Sequence, residues 1–366
     1  MQQGNAGGPG APGARKTVTA QVRPLPPQAL DRLFGDARLY PLRFVGDALD
    51  FVPMTYETYR RSTFLDRRIQ PALPQVFRAG AAEVAAAAEA APPAPPPGWV
   101  FHSAYCCSTL LAAALALLPR MLVLKEPVTL LQLALGEVEP ARTPLVQALL
   151  SRRDHPDDRV VVKASSNCSV TGADLLRQMP QARAVFLHSG LEDFLLAVVK
   201  DPARAARMRA TLAEGRPPAA LGMWWPAGEP APAADGLDDA RLAAFVWIGR
   251  LRALARMRAV AGPERVAAID GTALAADPAA PLKTAADALG LGASDDDLAR
   301  VLAADIWHRH AKAPAIAYGR EQRAREQAEL AARHRPALDA ALDFARRLLA
   351  EGADPTFELP RSLAGL

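Results

Sequence analysis

Lysine is scarce in this chain. Only six of its 43 lysines and arginines are Lys, at positions 16, 125, 163, 200, 283 and 312. A lysine inside a motif therefore carries more information than an arginine. Cysteine is scarcer still, with only Cys106, Cys107 and Cys168. Three thiols, two of them adjacent, make no disulfide framework, so the expected compartment is reducing. No charged-then-apolar leader opens the sequence, and the apolar run Leu110–Leu118 is too short to span a bilayer. These absences give the expectation of a cytoplasmic protein with no membrane partner. Basic runs interleaved with aromatics are also missing, and the net charge is only +4. That argues against nucleic acid and fits a small anion.

What is present is a core-forming chain. Half of its 366 residues are apolar and 22% are charged, enough for one large domain or two modest ones. The most informative stretch is Gly98–Leu118. Its apolar run Trp99-Val100-Phe101 stops at His102, small and polar residues follow to Thr109, and an Ala/Leu run continues to Leu118 before Pro119. This reads as strand, tight loop and helix, with Ser108 or Thr109 as the cap. Such a junction aims unpaired amides and the positive end of a helix dipole at one point.

Strand and helix patterns alternate on both sides. Residues 1–30, rich in Gly, Pro, Gln and Ala, read as a disordered arm. Leu39–Val45 and Asp50–Met54 form a hairpin about Gly46-Asp47, Thr55–Ile69 a helix, and Val76–Ala90 another. Tyr56, Tyr59 and Phe64 are either a packing stripe or the lining of a cleft. A proline-rich lead-in, 92–97, delivers the chain to Trp99. Further strands are expected at Met121–Leu124, Val160–Val162, Ala184–Leu187 and Arg265–Ile269. Trp307–Tyr318 reads as a loop before a charged helix from Gly319. The expected fold is α/β, a three-layer P-loop-type parallel sheet flanked by helices, with an N-terminal hairpin and helical insertions. Its expected divisions are 1–30, 31–97, 98–318 and 319–366.

Several chemistries can be set aside on spacing. G-x-x-x-x-G-K-[ST] is absent, with no lysine before Ser108 or Thr109, so a kinase or ATPase ranks low even though Ile269-Asp270 imitates a magnesium-side acid. A cysteine phosphatase lacks its loop arginine, because Ala112 and Ala113 stand in that place. Cys106-Cys107 and His308-x-His310 lack zinc-ligand spacing, so no metal site is expected. G-x-S-x-G does not occur.

Four motifs in order carry a resemblance: Tyr105-Cys106-Cys107-Ser108-Thr109-Leu110-Leu111, Leu124-Lys125-Glu126-Pro127, Lys163-Ala164-Ser165-Ser166-Asn167, and Ile269 to Pro278 followed by Leu289-Gly290-Leu291. Together they resemble the sulfotransferase family across residues 98–312. That resemblance implies 3′-phosphoadenosine 5′-phosphosulfate as sulfuryl donor and a hydroxyl acceptor, a small molecule or carbohydrate. It implies donor contacts at Ala104, Tyr105, Cys106, Cys107, Ser108, Thr109 and Lys163, with Glu126 as the catalytic base. Lys163 and Glu126 read equally as ordinary surface charges. The family's loop normally carries a lysine or arginine where Tyr105 stands and a glycine where Cys107 stands. Its 3′-phosphate arginine and serine fall on His188 and Leu196 in one register, or Ser189 and Ala197 in another. His188 is then a substitute phosphate ligand, and His310 or Lys312 supplies the absent charge. These departures keep open a catalytically degenerate member acting as a binding or regulatory module.

Overall fold

A computed structural model describes residues 21–66, 69, 75–213, 218–226, 229, 232–317 and 319–351. Two sheets dominate it. The first joins β1 (Gln21–Pro24), β2 (Leu39–Val45), β3 (Ala48–Pro53) and β4 (Gln75–Gly80) in the order β1-β4-β3-β2. The second joins β5 (Gly98–His102), β6 (Met121–Lys125), β7 (Arg159–Lys163), β8 (Ala184–His188) and β9 (Val266–Asp270) in the order β6-β7-β5-β8-β9, every pair parallel.

The apolar runs of the parallel sheet exist because both faces are covered. Trp99, Phe101, Leu122, Leu124, Val160, Val162 and Phe186 enter one core, with the helices Thr143–Leu150, Gly172–Gln178, Leu191–Val199 and Asp239–Ala261. Their alternate neighbours Val100, Val123, Val161, Val185 and Leu187 enter the other, with the helices Ser108–Leu115, Ala279–Ala288 and Asp295–Leu302. Period-two alternation thus splits each strand between two layers. With β5 central, the chain runs first to β6 and β7 on one side, then to β8 and β9 on the other. The reversal lies at the carboxyl end of β5, where open α/β sheets bind ligands.

A buried lysine ties the segment after β3 of the N-terminal sheet to this edge. Lys125 closes β6, and its buried ammonium donates to the carbonyls of Tyr59, Arg60 and Ser62 at 3.1, 2.9 and 2.9 Å. These carbonyls end the helix Tyr56–Arg61, whose dipole favours a cation there. Burial pulls this ammonium down to about 8, and its three donors are all used. Beside it the Leu65 amide donates to the Lys125 carbonyl at 2.8 Å. Replacing Lys125 by Met strands three acceptors, and chemical denaturation should register a loss of about 3 kcal/mol. A loss below about 0.5 kcal/mol would show that water replaces the ammonium at no cost.

Four local readings change. Val76–Ala90 is not one helix: Gln75–Gly80 is a strand pairing with β1 and β3, and the helix begins at Ala81. Residues 55–69 hold a shorter helix, Tyr56–Arg61, capped by the Thr55 side chain. Tyr59 and Phe64 are packing residues, with the Tyr59 hydroxyl on the Ala37 carbonyl at 2.6 Å. Within 307–318, Arg309–His310 and Ala313–Ala317 pair as an antiparallel ribbon, while Tyr318 lies outside the described residues. Of the arm expected over 1–30, residues 1–20 lie outside the described residues, and Gln21–Pro24 and Pro27–Asp31 are strand and helix.

Candidate active site

β5 ends at His102, and the chain then folds into a tight loop before the helix Ser108–Leu115. Ala104, Tyr105 and Cys107 all have positive φ, 70°, 53° and 61°. None is glycine, so each carries a backbone penalty on the order of 1 kcal/mol. The helix cap is Cys107, with φ 61° and ψ 17° and no side-chain cap bond, rather than Ser108 or Thr109. A left-handed cap turns successive amides toward the front of the loop, the arrangement that makes an anion nest. Among the described residues, the N–H groups of Tyr105, Cys107, Thr109 and Leu110 have no acceptor within the protein.

Three neighbours impose this shape. His102 accepts the Ala104 N–H at Nδ1, 3.1 Å, and donates from Nε2 to the Ala164 carbonyl at 3.0 Å. This pairing fixes the neutral tautomer, and burial together with Lys163 holds its pKa well below the usual histidine range. Arg250, buried with its guanidinium over Phe194, donates to the Ser103 carbonyl at 2.9 Å and the Leu221 carbonyl at 2.9 Å. Burial brings its pKa to about 10, leaving a fixed positive charge behind the loop. Just after β9, Gly271 sits so close that a β-carbon there would lie 2.0 Å from the Cys106 carbonyl oxygen.

Glu126 lies across the sheet edge, two strands from β5, or roughly 10 Å at the usual strand spacing. It has φ 59°, donates its N–H to the Lys163 carbonyl at 2.7 Å, and ion-pairs through Oε1 with Lys163 Nζ. Lys163 is only 2% exposed, while Glu126 keeps 20% of its side chain open. Lys163 is therefore no surface charge, and it is the ion-pair partner of Glu126. Lys312 is exposed, and its pKa is lowered by desolvation and by Lys163 against an opposing pull from Glu126. Arg204 and Cys106 act on it too, so Lys312 stands in the field of both the loop and the Glu126–Lys163 pair. Half-buried His310 joins that neighbourhood: desolvation, Lys312, Lys200 and Arg323 lower its pKa.

The loop itself is largely covered. Cys106, Ser108 and Thr109 are buried, and Ala104 is nearly so. Tyr105 packs on Phe194, ring centroids 5.3 Å apart, and lies under the Arg204 guanidinium at 4.7 Å. Arg323, from the helix Arg320–Glu351, brings Nη1 to 3.0 Å from Cys107 Sγ. His188 follows Leu187, whose carbonyl accepts the Ser103 N–H at 2.9 Å at the base of the loop. The histidine is fully buried at the end of β8, its pKa is lowered by burial, and the opposing charge is Asp270 on β9. Neighbouring Ser189 is 2% exposed.

Residues 104–109, Glu126, Lys163, Lys312 and His310 thus share this edge of the sheet, and His188 is buried beside it at the end of β8. The structure adds three arginines that no sequence motif singles out: Arg204, Arg250 and Arg323. They come from helices about 95 to 220 positions away along the chain, and arginine is too common here for any one to stand out.

No family model matches this chain, and no curated protein matches it. Solved structures similar to it include a sulfotransferase domain from the curacin biosynthetic pathway, at 14% identity and TM-score 0.38, covering 72% of this chain and 99% of that one. Another is a sulfotransferase from Alicyclobacillus acidocaldarius, at 14% identity and TM-score 0.36, covering 69% and 97%. A third is the sulfotransferase domain of the Synechococcus PCC 7002 olefin synthase, at 15% and 0.35, covering 73% and 97%. Scores this low leave every functional statement to the residues themselves.

Proposed function

We propose that this protein is a sulfotransferase-like enzyme that moves a sulfuryl group from 3′-phosphoadenosine 5′-phosphosulfate to the hydroxyl of a small or carbohydrate-like acceptor. One observation carries the reading: a left-handed loop at the switch point of a parallel sheet presents unpaired amides, with cations gathered around it. The order of motifs along the sequence supports the same reading.

The donor supplies an activated sulfuryl group, and the chain's residues fit its phosphosulfate end. The amides of Tyr105, Cys107, Thr109 and Leu110 hold oxygens where charge develops as the bridging S–O bond breaks. Ser108 and Thr109 add hydroxyl donors. Arg250 contributes a fixed field from behind, in a setting too buried for water to screen it fully. As the acceptor oxygen bonds to sulfur, its proton passes to the Glu126 carboxylate, which the Lys163 ammonium holds in place. Positioning and charge stabilisation then account for catalysis, as in phosphoryl transfer.

A second reading, a degenerate member that binds without turning over, is favoured by the burial of His188 and Ser189, the residues expected at the 3′-phosphate. Calorimetry with adenosine 3′,5′-bisphosphate addresses both. Saturable binding with sulfuryl transfer to a hydroxyl acceptor supports the enzyme, and binding without transfer supports the degenerate member. Silence at millimolar bisphosphate, with magnesium-ATP binding in its place, would sink the assignment.

A further inference from the structure

Three buried donor atoms in the helical layer have nothing to donate to. Arg252, on the helix Asp239–Ala261, is 1% exposed, and its Nη2 donates to Glu229 Oε1 at 2.7 Å. Its Nε and Nη1 have no hydrogen-bond partner, and neither does the buried indole Nε1 of Trp225. The two side chains form one group, because the guanidinium lies over the Trp225 ring, 3.9 Å from its centre. Buried Phe245 closes another side, its ring 4.9 Å from that of Trp225. Donors buried unpaired are costly, so an occupant that satisfies them gains what they lose.

The chemistry of the group selects that occupant. A water or hydroxyl brings its own O–H, which finds no acceptor on either Arg252 or Trp225. A carboxylate brings a negative charge where Glu229 already balances the guanidinium. An uncharged carbonyl oxygen, with two lone pairs and no proton, meets both conditions.

Trp225 also belongs to a segment that starts at the candidate active site. The Leu221 carbonyl accepts from Arg250 Nε at 2.9 Å, while Arg250 Nη1 donates to the Ser103 carbonyl at the base of the loop. A β-carbon at Gly222 would lie 2.0 Å from the Ser166 carbonyl oxygen, and Asn167 Nδ2 donates to the Ala220 carbonyl at 2.7 Å. Residues 220–222 therefore rest on the chain that follows Lys163, the partner of Glu126. The Trp224 N–H then donates to the Gly249 carbonyl at 2.9 Å, which brings the segment to the helix that carries Arg252. Glu229 keeps 22% of its side chain exposed, so the group reaches solvent on that side.

From this we infer that Arg252 and Trp225 form an acceptor subsite, one that takes an uncharged carbonyl oxygen such as that of an amide or ester. The ligand's being the sulfuryl acceptor rests on the proposed function, whereas the carbonyl site rests on the three donors alone. It narrows the acceptor to a molecule that carries a carbonyl besides its hydroxyl.

Acetamide and acetate are the probes, since both are small and they differ as carbonyl from carboxylate. Ligand-observed NMR titration of the full chain should show acetamide binding more tightly than acetate. A crystal grown with acetamide should hold its oxygen on Trp225 Nε1 and Arg252. Trp225→Phe keeps a ring beneath the guanidinium and should weaken acetamide about 2- to 10-fold, the worth of one neutral hydrogen bond. Glu229→Gln removes the balancing charge and should turn the preference toward acetate. Water alone on the three donors overturns the inference. So does tighter binding of acetate by the parent, or equal acetamide binding by the parent and Trp225→Phe. A parent that holds acetamide on these donors but binds no adenosine 3′,5′-bisphosphate overturns the functional reading, and the acceptor with it, while the carbonyl site stands.

Discussion

Glu126→Ala should destabilise the protein by about 3 kcal/mol, the scale seen when one partner of a buried ion pair is removed. The reason is Lys163, whose side chain is 2% exposed and whose ammonium would lose its carboxylate. Phe64 offers only a ring face at 5.9 Å, and His102 is held neutral nearby. The double variant Glu126→Ala/Lys163→Met should recover most of the loss, since the stranded charge goes with its partner. Paired urea melts of the single and double variants measure this directly. If the single variant loses less than about 1 kcal/mol, Lys163 has found water and the pair is no structural unit. Catalysis separates from this effect in Glu126→Gln, which keeps an acceptor oxygen near Lys163. Under the proposed mechanism that variant should lose roughly 100- to 10,000-fold in kcat with its melting far less affected.

Gly271→Ala is expected to have the second largest effect. The added β-carbon would overlap the Cys106 carbonyl, 2.0 Å away, and both sides of the contact are backbone. No rotamer change can relieve it. Either the loop moves away from β9 or the end of β9 shifts. Overpacking of this kind costs roughly 1–3 kcal/mol, and here it acts on the loop that orients the amides. Bisphosphate affinity should fall by more than tenfold, as a sub-ångström displacement of several hydrogen bonds implies. Gly236→Ala, where a β-carbon meets nothing within 4 Å, is the matched control. Unchanged affinity in Gly271→Ala would mean the loop tolerates displacement and its geometry is not what binds.

The parallel sheet was legible because its strands are short, continuous apolar runs closed by turn residues. Met121–Leu124, Val160–Val162 and Ala184–Leu187 each fall within one residue of the observed strands at one or both ends. β4 was not legible. Val76-Phe77-Arg78-Ala79-Gly80 runs straight into an alanine-rich helix, and what makes it a strand is pairing with residues 21–24 and 48–51, which no local window contains. The cap was misplaced for a related reason. Hydroxyl side chains at 108 and 109 suggest a side-chain cap, but the left-handed backbone at Cys107 is imposed from outside. Glu126 and Lys163 were visible as motif residues, whereas their pairing depended on β6 and β7 being neighbours. Arg250 and Arg323 left no local trace, since nothing within their own helices distinguishes them from other arginines.

A loop with three left-handed residues and no glycine does not choose its own conformation. It is a casting, and His102, Arg250 and Gly271 are the mould. A peptide spanning 102–110 would relax into something else, and transplanting those residues onto another scaffold would transfer the letters without the shape.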